Sequence, residues 1–269
     1  MLKTITLFMV VLTLSSVVLA QQKNQQTPPD RVALDATTTC NVTFASGTGI
    51  NATQFCVTAN GNIAQFSVGG EEMIAVGATE EGYGICDTGP GVSYFDYADS
   101  DSGNWGPSTF SHVGNVVTVT RSTLDGIWKL KQIITNVPAT KAGPGSARVS
   151  MTLTNLSTDV RNAVVLRHAN VDANSVITND FDFTAETAYG LLPGFLTGNL
   201  GLGSTNNTFN PAIFQVAYTQ NVNFGPDPCK PTTNLAPQPF VGDGSIEQGY
   251  EFNVGKKGVQ TVTLTYKPI

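Results

Sequence analysis

An all-β fold, an antiparallel β-sandwich with long ordered loops, is predicted for this 269-residue chain by three features. Short runs alternate apolar and polar residues with a period of two, which places one face of a strand in a core and the other in water. Charged residues make up only 13% of the chain, while Gly, Thr, Asn and Ser abound. Such a composition suits many short strands and starves helices of the Ala, Leu, Glu and Lys they favour. Turn dipeptides, Asn60-Gly61 and Asp125-Gly126 among them, fall between the runs because Asn, Asp and Gly tolerate positive φ.

Residues 1–20 read as a secretory signal: Lys3, an apolar region of Ile5 to Leu14 with Val17-Val18-Leu19, then Val18 and Ala20 as the small residues before a cleavage site, with Gln21 as mature start. The alternative is an uncleaved anchor, disfavoured because a span needs about 20 apolar residues. Residues 21–30 are Gln-rich and end near two prolines, a disordered leader. Residues 31–269 form a single β-sandwich domain, with no later segment long enough to cross a bilayer.

Strands are expected at Val42–Phe44, Gln54–Val57 and Ile63–Val68, with a shorter one at Met73–Val76. Glu80–Gly106 is rich in Gly, Asp and aromatics, and is predicted to be a long ordered loop, a type often functional in compact domains. Asn115–Arg121 and Ile127–Ile134 form a hairpin with Trp128 on its core face. The central pair follows. Val149, Met151 and Leu153 alternate with Ser150, Thr152 and Thr154, whereas Ala163–Val171 is apolar on both faces, as for a strand inside a sheet. Gly190–Gly203 carries no phosphate-binding pattern and is expected to be a covering loop. Ala212–Tyr218, Tyr250–Val254 and Val259–Tyr266 complete the domain.

The net charge of −6 argues against a nucleic-acid partner and against an anionic membrane surface. Four cysteines in an exported chain imply two disulfides. The favoured pairing is Cys40–Cys56, closing a loop of about 15 residues worth about 3 kcal/mol, and Cys86–Cys229. Zinc is the competing reading, but paired C-x₂₋₄-C spacing is absent.

Candidate chemistry concentrates in two acidic stretches. Asp96, Asp99 and Asp101 precede Gly103, and Asp172, Asn174, Asn179, Asp180 and Asp182 follow the central strand. Short oxygen-bearing residues on glycine loops can supply the six to eight ligands of calcium, the only cofactor expected. The competing explanation is a set of Asx turns. Arg167-His168 stands beside Asp172; His168 is the candidate general acid/base, or else a rim histidine held by a loop, since no nucleophile motif accompanies it. Tyr83, Tyr94, Phe95, Tyr97 and Trp105 either form a sugar-stacking platform, with Arg167 and Asp172 beside it, or pack the long loop. Four sequons begin at Asn41, Asn51, Asn155 and Asn206.

Gly61-Asn62-Ile63, Trp128-Lys129-Leu130, the Val149–Ser157 strand end (VSMTLTNLS) and a histidine after the next strand together resemble the galactose-mutarotase-like β-supersandwich group. The resemblance implies a supersandwich and a carbohydrate-related role. In its epimerases it implies that His168 matches a catalytic histidine and that Glu247 or Glu251 stands near the glutamate base. The second catalytic histidine of those enzymes has no counterpart, because no histidine follows His168. The sequence therefore favours a secreted, periplasmic or surface binding module for a glycan or another extracellular polymer, with a carbohydrate-active enzyme and a structural envelope component as alternatives.

Overall fold

The computed structural model describes residues 38–75, 81–98, 100–194, 200–221, 224–231 and 238–269; the expected signal and leader, residues 1–30, and Asp99 lie outside them. The described residues form strands and two 3₁₀ turns, with no α-helix among them. In chain order the strands are β1 (Cys40–Ser46), β2 (Thr53–Thr58), β3 (Ile63–Val68), β4 (Glu71–Glu72), β5 (Glu81–Asp87) and β6 (Val92–Asp96). Then come β7 (Thr109–Val113), β8 (Val116–Ser122), β9 (Trp128–Val137), β10 (Ser146–Asn155), β11 (Arg161–Val171) and β12 (Asn179–Phe183). The last are β13 (Thr187–Leu191), β14 (Gly201–Asn206), β15 (Phe214–Gln220), β16 (Phe240–Gly242), β17 (Gly244–Val254) and β18 (Val259–Pro268).

They assemble into three sheets, ordered β1-β2-β3-β4, β16-β12-β13-β14-β18-β10-β9-β8-β7 and β15-β17-β11-β5-β6. Every strand pairing between neighbours is antiparallel. Period-two burial works as expected on β10: Val149, Met151 and Leu153 are buried, opposite Leu264, Val262 and Gln260 of β18. Trp128 is fully buried at the start of β9. The four-stranded sheet adds Phe44, Phe55 and Phe66 to the same core, with Phe55 and Phe66 stacked at 5.9 Å.

Both disulfides form as predicted, Cys40–Cys56 tying β1 to β2 and Cys86–Cys229 tying β5 to the segment after β15.

Three sequence expectations are corrected. Glu80–Gly106 is not one long loop, since it contains β5 and β6. All seven residues of β5 are buried, so both its faces are covered and no alternation marks it, while Gly82 and Gly84 mimic turn residues. Gly190–Gly203 is not a covering loop at its ends, which are the close of β13 and the first half of β14. Asp180 and Asp182 are not loop-tip residues but lie on β12.

Candidate functional site

Three polar constellations occur, two enclosed and one open. The first fills the space where the three sheets meet. Arg167 on β11 and Glu81 on β5 form an ion pair with both side chains fully buried. The guanidinium also donates to the Gln132 side chain of β9 and, at 3.0 Å, to the Gly61 carbonyl in the β2–β3 turn. Glu81 accepts the Ile63 N–H at 2.6 Å. Gly61 has a φ of +87°, and a Cβ there would stand 2.6 Å from the Gln132 amide nitrogen, so the turn needs glycine on both counts.

Beside this pair, Arg121 of β8 bonds Asp96 at 2.5 Å and lies 3.7 Å from Asp101. Asn60 donates to Asp96 at 2.9 Å, and Arg121 stacks 5.3 Å from the Trp105 ring. Burial pushes the Asp96 carboxyl up to about 6, opposed by Arg121 and Asn62.

These placements correct the platform reading. Tyr94, Tyr97 and Trp105 are at most 2% exposed, so they offer no open ring to a sugar. Arg167 is equally enclosed and serves as a tie between sheets. Asp96 and Asp101 turn onto Arg121, which supplies the positive charge that the calcium reading assigned to an ion; Asp99 is outside the described residues. Asp172 is half-buried at the end of β11, where its N–H donates to the Met73 carbonyl.

The second constellation lies on the opposite face of the five-stranded sheet. In register across it stand Gly82, His168, Glu247 and Tyr218. His168 Nδ1 lies 2.7 Å from Glu247, both fully buried, and Ser245 donates to the same carboxylate at 3.2 Å. Burial raises the Glu247 pKa, with His168 and Ser245 pulling it back. Sequence pattern brought His168 and Glu247 together only through the supersandwich resemblance, and the structure joins them; Glu251 is exposed on the far half of β17. Residues 224–231 lie over this face. Tyr97 donates to the Pro226 carbonyl at 2.6 Å, Gln220 donates to the Pro231 carbonyl at 2.8 Å, and Cys229 is fastened to Cys86. Pro228 packs where a Cβ of Gly84 would stand, 2.9 Å away, so glycine on β5 is what admits the strap.

The third constellation is open. A cleft of about 710 Å³ lies on the outer face of the nine-stranded sheet, over β12, β13 and the end of β18. Register aligns Asp182, Tyr189, Gly203 and Lys267 in one row across four strands. Tyr189 is half-buried and its hydroxyl donates to Asp182 at 3.3 Å, while the Ile269 side chain packs over Gly203, 3.2 Å from where a Cβ would stand. Leu191, Phe240, Val241 and Ile269 supply apolar wall, and Thr184 and Thr187 supply hydroxyls. The sequence reading missed Tyr189, Gly203 and Lys267. Asp180 and Asp182 had been singled out, for an ion rather than for a cleft.

The chain matches no protein-family model and no curated protein. Among solved structures it is similar to a bacterial glucoamylase complexed with acarbose, at 9% identity and a TM-score of 0.57, over 87% of this chain and 33% of that one. It thus spans about a third of the glucoamylase's length. A mutant heparan sulfate lyase HepC from Pedobacter heparinus aligns at 12% identity and a TM-score of 0.46, over 89% and 37% of the two chains. A protein assigned as an aldose 1-epimerase from Escherichia coli K12 aligns at 9% and 0.43, over 85% and 100%. What is shared is fold. The chain is a large antiparallel β-sandwich.

Proposed function

We propose that this chain is an exported glycan-binding β-sandwich whose ligand lies in the outer-face cleft. The observation that carries the reading is the row Asp182–Tyr189–Gly203–Lys267. A half-exposed aromatic ring beside the apolar side chains of Leu191 and Ile269 gives a sugar an apolar face to rest on. Carboxylates at one end accept hydroxyl hydrogen bonds, and an ammonium at the other donates them. Sites of this kind, mostly apolar with a few placed polar groups, are the usual form for small ligands. Two disulfides fit an oxidising compartment, which supports export.

One observation favours an enzymatic reading, the 2.7 Å His168–Glu247 contact. General acid/base work needs substrate within hydrogen-bond reach, and both side chains are fully enclosed beneath residues 224–231. Binding therefore takes precedence. Glycan-array screening and titration calorimetry of the chain from Gln21 onward test it. Tyr189→Ala should weaken the sugars that bind by roughly three- to tenfold, and His168→Ala should leave their affinity unchanged. If Tyr189→Ala binds as well as the parent, the cleft is not the site. If no glycan binds, the structural alternative replaces this reading.

A further inference from the structure

The cleft is electrically lopsided. Asp180 and Asp182 lie two residues apart on one face of β12, which separates their backbone positions by about 7 Å. Each is half-buried. Their hydrogen-bond donors among the described residues are all neutral: the Gly194 N–H to Asp180 at 3.2 Å, and the Phe183 N–H at 2.8 Å and the Tyr189 hydroxyl at 3.3 Å to Asp182. No cation pairs with either carboxylate among the described residues. The cleft's one ammonium, Lys267, is three strands from Asp182 in the register row, about 14 Å at the usual strand spacing. That exceeds the Debye length of about 8 Å at physiological salt, so Lys267 does not neutralise the pair. One wall of the cleft therefore holds two carboxylates without a counter-charge, set beside an aromatic ring.

On this basis, and resting on the glycan reading above, we propose that the cleft selects glycans bearing a free, protonated amine. A deacetylated hexosamine unit would direct its ammonium at Asp180 and Asp182 and lay its ring against Tyr189. Charge-assisted hydrogen bonds are about twice as strong as neutral ones. An N-acetylated unit loses that charge, and a uronate meets repulsion.

The test uses calorimetry with the chain from Gln21 onward and four oligosaccharides of one length. They are β-1,4-linked glucosamine, its fully N-acetylated form, a neutral glucan and a galacturonan, at a pH where the amine is protonated. The expected result is glucosamine binding about tenfold or more tighter than the N-acetylated oligomer, with galacturonan binding least. An Asp180→Asn/Asp182→Asn variant of parental melting temperature should lose that preference, binding glucosamine and its N-acetylated form alike. Equal affinity for glucosamine and its acetylated form overturns the amine proposal and leaves glycan binding standing. A preference that survives the double variant overturns the assignment to these carboxylates. Failure of all four sugars to bind overturns both the proposal and the reading beneath it.

Discussion

Arg167 gives the sharpest test of how the sheets are held together. Arg167→Met keeps most of the side-chain volume and removes the charge. Left behind are a fully buried Glu81 carboxylate, the Gln132 side-chain oxygen and the Gly61 carbonyl, each deprived of a donor. Glu81 keeps only neutral donors such as the Ile63 N–H. Removing one partner of a buried pair costs about 3–5 kcal/mol, because the other charge stays in a medium that cannot solvate it. For a domain of this size that is a fall in melting temperature of roughly 6–20 °C. Urea unfolding followed by Trp fluorescence measures it, since Trp105 and Trp128 are both buried. Adding Glu81→Gln to Arg167→Met should recover about 1 kcal/mol or more, as the double-mutant cycle requires of groups in contact. A single variant that loses less than about 1 kcal/mol, or a double variant whose loss equals the sum of the singles, would refute the idea of a three-sheet tie.

Asp96 predicts a pH dependence. Its carboxyl titrates at about 6 in the fold against an ordinary 3.8, so the folded chain holds that proton more tightly than the unfolded one. The stabilisation is complete below the ordinary value and is lost as the pH rises through about 6; Asp96→Asn should flatten the stability profile across this window, and an unchanged slope would contradict the assignment. Excess EDTA should leave the melting curve of the chain unmoved, because Asp96 is bonded to Arg121 and Asp101 lies 3.7 Å from the same guanidinium; a chelator-dependent fall would restore calcium. Replacing Cys86 and Cys229 together by Ser opens a cross-link spanning 143 residues, worth up to about 5 kcal/mol. Limited proteolysis should then cut first within residues 224–231, and protection there would mean that the Tyr97 and Gln220 contacts hold the strap alone.

Much of the architecture was legible because one covered face leaves a period of two. Strands β10 and β18 have it, with Val149, Met151 and Leu153 set against Val262 and Leu264. Both disulfides followed from cysteine number, compartment and loop length. β5 was illegible for the opposite reason. Sandwiched between the core and the strap, it shows no alternation, and the glycines that admit Pro228 and the Asp96–Tyr97 backbone look in sequence like turn residues. The error that followed was electrostatic. Aspartates and aromatics clustered in a presumed loop suggest an exposed site, yet Asp96 and Trp105 are partners of the buried Arg121, and Tyr94 packs on Trp105.

The cleft was hidden by a different cause. Its members, Asp182, Tyr189, Gly203 and Lys267, are spread over 86 positions, and only the register of β12, β13, β14 and β18 lines them up. No local spacing encodes that row, since β18 arrives from the far end of the chain to pair with β14. Asp180 and Asp182 did stand out by composition. What composition lacked was their setting: a strand rather than a loop tip fixes both carboxylates on one face, and a strand's rigidity is what a selective site requires. The same reasoning separates the two acidic groups physically. Asp96 and Asp101 have an arginine within reach and are spent on stability, whereas Asp180 and Asp182 have none among the described residues and border open space. Uncompensated charge beside a cleft points outward, to a ligand.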